Sequence, residues 1–142
     1  AEALFVDPVT GDIVVITKSF SGGAQKAYRV SGLTNPGVVT TMEYLATITT
    51  APSAFGAITG ADISPNGLQF ALRTYGGVAV SARTDVTTPL STFLGGGARI
   101  IICAAPAPSE VQGEAIGFES SGRGFVTVSE GAGAVLQRFT AP

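Results

Sequence analysis

The chain has 142 residues, 45% of them hydrophobic and only 13% charged, with a net charge of −2. This is the length of one domain with enough apolar material for a core. The eight scattered Lys and Arg residues exclude a nucleic-acid surface, which needs clustered cations, and the absence of histidine excludes Ser-His-Asp and Cys-His catalysis and imidazole-bound zinc. The first predicted strand runs from Glu2 to Asp7, turns through Pro8-Val9-Thr10-Gly11 and returns as Asp12 to Lys18. A third strand fits Gln25 to Val30 and a fourth, outer strand Met42 to Ile48. The pattern then repeats: Thr59 to Ser64, a turn at Pro65-Asn66-Gly67, Leu68 to Tyr75, Gly77 to Arg83, and Arg99 to Ala104. It begins a third time with Glu114 to Glu119, a turn at Ser120-Ser121-Gly122, Arg123 to Glu130, and Ala134 to Phe139. Each unit opens with the hairpin signature of a tight glycine turn between runs of β-branched and aromatic residues. No helical period is sustained over three turns, so helix is expected to be nearly absent.

The turn glycines Gly11, Gly67 and Gly122 lie 56 and 55 residues apart. A fixed period with a hairpin in each unit marks an array whose units cannot bury their own faces alone. We therefore predict an all-β chain, a β-propeller of three four-stranded-type blades at about 1–50, 51–105 and 106–142. The third blade lacks its outer strand, and a ring usually needs roughly four to eight blades. The expected partner is thus a second half-propeller, either another copy of this chain or the N-terminal half of the same precursor. Ala1-Glu2-Ala3 opens inside a predicted strand without an initiator methionine, which leads us to expect a processed or excised chain. No apolar run approaches the roughly 20 residues of a membrane-spanning helix. Cys103, in the run Ile100 to Ala105, is expected to be a buried, inert thiol.

The run Val111-Gln112-Gly113-Glu114-Ala115-Ile116-Gly117-Phe118, with Gly122 to Gly131 after it, resembles the C-terminal blades of secreted six-bladed propellers described as phytase-like or esterase-like. Ala1 to Asp12 with Thr17-Lys18, and Thr59 to Gly67 with Leu72 to Tyr75, share the resemblance. It implies a six-bladed ring of which this chain is the C-terminal half, and a secreted, extracellular or periplasmic address.

Candidate chemistry lies in carboxylates at repeated positions. Glu2 and Glu114 occupy the same place at the start of the first strand, and with Asp62 they form a candidate oxygen-ligand set for calcium. Thr59 stands where the second blade would need its own glutamate, and the glutamates could equally pair with Lys18 or Arg73. Asp7, Asp12 and Glu119 are read as turn residues whose carboxylates hold nearby backbone amides. Lys18, Tyr75 and Glu130 end the three second strands and emerge at one mouth of the ring; with Arg73 they are the candidate ligand-binding residues, against the alternative of ordinary solvated strand ends. No catalytic residue is identified. Three readings result: a binding or scaffold module, a metal-assisted hydrolase of phosphate or carboxylic esters, and a purely structural half-ring.

Overall fold

The structure is a computed structural model that describes residues 1–19, 24–31, 36–48, 57–96 and 110–140 in full, and residues 100–105 as backbone. The loops predicted around Gly22, Asn35, Pro52 and Pro106, and the side chain of Cys103, lie outside the described residues. Three antiparallel sheets follow one another along the chain. The first holds β1 (Ala3–Val6), β2 (Ile13–Ile16), β3 (Gln25–Val30) and β4 (Glu43–Ile48). The second holds β5 (Ile58–Ile63), β6 (Gln69–Thr74), β7 (Gly77–Ala82) and β8 (Ile100–Ala105), with a short helix α1 (Leu90–Leu94) before β8. The third holds β9 (Gly113–Phe118), β10 (Gly124–Ser129) and β11 (Gln137–Thr140). Strand order within each sheet is the order of the chain, and the first strands β1, β5 and β9 lie side by side in series.

The same outer closure is built at all three hairpins. The N–H of Asp7 donates to the carbonyl of Asp12 (2.9 Å), Ser64 to Gln69 (2.8 Å) and Glu119 to Gly124 (2.9 Å). Inside each loop a glycine N–H closes back on the first residue, Gly11 on Asp7, Gly67 on Ser64 and Gly122 on Glu119. These glycines have φ of +75°, +71° and +67°, the left-handed region where a β-carbon is strained. Asp7 accepts from the Val9 N–H at 2.9 Å, which is the turn chemistry expected of it.

Aligning the sheets on these turns shows how they pack. Successive strand residues point to opposite faces, so each blade has a forward face and a rear face. The forward face of blade 1 (Ala3, Phe5, Val14, Ile16, Ala27) packs on the rear face of blade 2 (Ala61, Ile63, Phe70, Leu72). The forward face of blade 2 (Ala71, Val78, Val80) packs on the rear face of blade 3 (Ile116, Phe118, Phe125, Phe139). Phe70 is fully buried at the centre of the first contact, 5.2 Å from the Phe5 ring and 6.1 Å from Phe93 of α1.

α1 is a single short helix, in keeping with the expectation that helix is nearly absent, whereas the start of β11 differs from expectation. Leu90, Phe93 and Leu94 form a one-turn apolar stripe that packs toward β4, too short for a period to show in the sequence. β11 begins at Gln137 rather than Ala134, because Gly131 and Gly133 take positive φ and leave Val135 and Leu136 exposed. Phe70→Ala should lower the unfolding free energy by about 3–5 kcal/mol. Phe139→Ala, in a half-buried rim position, should lower it by clearly less; urea denaturation of both variants reads the difference.

Candidate functional site

The first strands begin, and the second strands end, on the same side of the three sheets, at the end opposite the hairpin turns. Glu2, Thr59, Glu114 and Glu130 line one open hollow there, with a volume of about 450 Å³. Lys18 reaches the same region, donating to the Glu2 carboxylate and, at 2.6 Å, to the hydroxyl of Tyr75 in the next blade. Its ammonium lies 4.7 Å from the Tyr75 ring centroid, a distance set by the bond to the hydroxyl rather than by contact with the ring face. The Lys18 side chain is only 8% exposed while its partner Glu2 is 45% exposed. Burial works against its charge, but the hydrogen bonds with Glu2 and Tyr75 and the negative charges of Glu114 and Glu2 outweigh it, so its pKa is raised above the ordinary 10.5.

Four of the sequence-predicted residues, Glu2, Lys18, Glu114 and Glu130, thus meet around one opening, and Tyr75 joins them through Lys18. Asp62 does not. Its carboxylate points to the blade 2–blade 3 contact, where Oδ2 accepts from the Phe118 N–H at 2.6 Å and Oδ1 from the Ile63 N–H at 2.9 Å. Among the described residues no three of His, Cys, Asp or Glu are gathered as a metal would need.

Arg73 is also elsewhere. It stands on the forward face of blade 2, where blades 1 and 3 carry Ile16 and Val128, and it is fully buried. Its Nη2 donates to Glu110 Oε2 at 2.5 Å, and the other oxygen of Glu110 accepts from the Thr127 hydroxyl at 2.7 Å. The guanidinium lies against Gly113, so that a β-carbon there would fall 1.7 Å from Nη2 and 2.2 Å from Cζ. The Gly113 carbonyl in turn accepts from the Thr59 hydroxyl at 2.6 Å. Among the described residues Nε and Nη1 find no hydrogen-bond partner, and the Glu110 side chain is only 3% exposed. Arg73 therefore pins blade 3 to blade 2. Glu110 and Gly113 escaped the sequence reading; the signal was a lone arginine at a position that is apolar in the other two blades, which demands a buried carboxylate.

At the hairpin end a second cleft of about 390 Å³ opens between blades 1 and 2, lined by Asp12, Arg29, Arg83 and the segment before α1. Arg83 is 3% exposed there and donates from Nε to the Gly67 carbonyl and from Nη1 to the Thr88 carbonyl, each at 2.7 Å.

A chain in the crystal structure of a nidogen/laminin complex is similar, with a TM-score of 0.52 and 14% identity over 97% of this chain. The fold is β-propeller-like. This chain spans 43% of that chain's length. No protein-family model matches the sequence, and no curated protein matches it. Among the described residues no helix is long and apolar enough to cross a membrane.

Glu110→Leu should cost about 3–5 kcal/mol, because it strands a buried guanidinium. The double variant Arg73→Met, Glu110→Leu should recover most of that loss; a double variant as unstable as the single in urea denaturation would contradict the pinning role. Lys18 keeps its charge well above pH 10.5, so the stability from its pair is complete below that value and is lost only as pH rises through the raised folded-state pKa. At about pH 9, where an ordinary lysine already exposes a few per cent of free amine, an amine-reactive ester should label exposed Lys26 and spare Lys18, read by peptide mass spectrometry.

Proposed function

We propose that the chain is a binding or scaffold module, an arc of a six-bladed β-propeller that takes its ligand at the channel mouth. The observation that carries this reading is the convergence there of unlike polar side chains from all three blades at equivalent positions: Glu2, Thr59 and Glu114 from the first strands, Lys18, Tyr75 and Glu130 from the second. A repeated scaffold that varies its strand ends is suited to specific recognition. The carboxylates outnumber the one lysine, so the mouth favours a ligand with a cationic group flanked by hydroxyl or amide donors. The resemblance of Glu114 to Glu119 and Gly122 to Gly131 to phytase-like and esterase-like propellers, and the low charge of the chain, support a secreted address.

Calcium bound by Glu2 and Glu114 belongs to a second reading, metal-assisted hydrolysis of phosphate or carboxylic esters. Lys18 weighs against it, since its ammonium already takes the Glu2 carboxylate. The two readings separate in one set of measurements. A peptide and glycan array probed with the parent chain and with Tyr75→Phe, Glu130→Gln should show spots bound by the parent and lost in the variant; identical patterns would refute a mouth site. Calcium should leave the melting temperature unchanged. A calcium-dependent rise, which a ligand of the folded state produces by mass action, abolished by Glu114→Gln and accompanied by ester turnover, would transfer the assignment to the hydrolase.

A further inference from the structure

Among the described residues, nothing packs on the rear face of blade 1. Leu4, Val6, Ile13, Val15, Tyr28 and Val30 lie on that one side of three paired strands, as the registers Leu4↔Val15, Val15↔Tyr28, Val6↔Ile13 and Ile13↔Val30 require. Leu4 is 58% and Val6 50% exposed, whereas their counterparts in blade 2, Ala61 and Ile63, are each 5% exposed beneath blade 1. At the other end of the arc the forward face of blade 3 is also open: Ala115 is exposed, and Gly117, Val126 and Val128 are half-buried. Their counterparts in blade 2 that pack on blade 3, such as Gly60 and Ala71, are buried.

The two open surfaces are the two sides of a contact the chain already makes twice. We infer that a second copy of this chain covers both. Blade 1 of each copy seats its rear face on the forward face of blade 3 of the other, and the two arcs close a six-bladed ring about a two-fold axis. This rests on the β-propeller reading above and is independent of what binds at the mouth. A head-to-tail contact generates a closed ring only when its rotation closes. One partner that presents both complementary faces covers the two ends at once, and an identical arc presents both. A contiguous apolar sheet face of this kind is the mark of an interaction surface.

Light scattering on the purified chain at micromolar concentration should give twice 14.3 kDa; a well-folded monomer would overturn the inference. Val6→Lys on the rear face and Val126→Asp on the forward face should each give a folded monomer, with Leu4→Lys as a second rear-face variant. Mixing the Val6→Lys and Val126→Asp chains should restore the dimer, because one of its contacts is then native and the other pairs opposite charges. Dimers that persist in the single variants, or a mixture that stays monomeric, would show that the faces do not meet in this way. The mass reads the partner and the array reads the mouth, so a monomer that keeps its array pattern removes the second copy alone.

Discussion

Each blade carries two apolar faces, and a single sheet of three or four strands buries neither by itself. This constraint, set by the period of two along a strand, determines the rest of the molecule. Phe5, Val14 and Ile16 are buried to within a few per cent because blade 2 lies on them, and Phe70 and Leu72 because blade 1 lies on them. At roughly 1.5–3 kcal/mol for each large side chain withdrawn from water, such a face decides the arrangement of sheets against any single polar contact on the surface. The hairpin turns hold the alternation in phase: the same closure at Asp7, Ser64 and Glu119 keeps a given strand position on the same face in every blade. A one-residue slip in any turn would send the apolar set to the wrong side.

The two blade contacts solve this constraint differently. Between blades 1 and 2 the centre is aromatic, Phe5 on Phe70 with Phe93 behind it. Between blades 2 and 3 a charge stands at the centre, with Arg73 and Glu110 joined and Thr127 and Thr59 completing the polar chain through Glu110 and Gly113. Such a pair adds little net stability over apolar residues of the same volume, because desolvation offsets its attraction. It does constrain geometry, since the buried guanidinium lies where a β-carbon on residue 113 would stand. Asp62 acts in the same sense, using its carboxylate to hold the Phe118 amide instead of a cation.

Much of this was legible in the sequence. The three hairpins, the placement of ten strands within about two residues, and the count of four, four and three followed from alternation and from glycines at turns that require positive φ. The grouping of Glu2, Glu114 and Lys18 followed from reading equivalent positions across the repeat, which works because equivalent residues share a face and a height along the strand. What stayed hidden has a common cause. α1 is a single turn; the roles of Glu110 and Gly113 depend on a residue 37 positions away from Glu110; and β11 starts late because of backbone dihedrals at Gly131 and Gly133. None of these leaves a periodic trace. Arg73 shows the limit of reading a charged residue near a strand end as surface: the repeat places it at an apolar position, and that placement, not its charge, fixes where it goes.

The difference between mid-strand and strand-end positions follows from the same geometry. Side chains in the middle of a strand are claimed by the neighbouring blade, so their identities are held to apolar residues or to a satisfied pair. Residues 2, 59 and 114, and residues 18, 75 and 130, lie at the strand ends around the hollow, outside the two apolar contacts, and their chemistry differs from blade to blade. They are nevertheless not independent of the packing. The Lys18–Tyr75 bond crosses from blade 1 to blade 2, and the Thr59–Gly113 bond from blade 2 to blade 3, so the shape of the mouth is set by how the blades sit on one another. A ligand of the proposed kind, bridging two blades there, would bind the correctly packed arc better than a loosened one and by linkage would stabilise that packing.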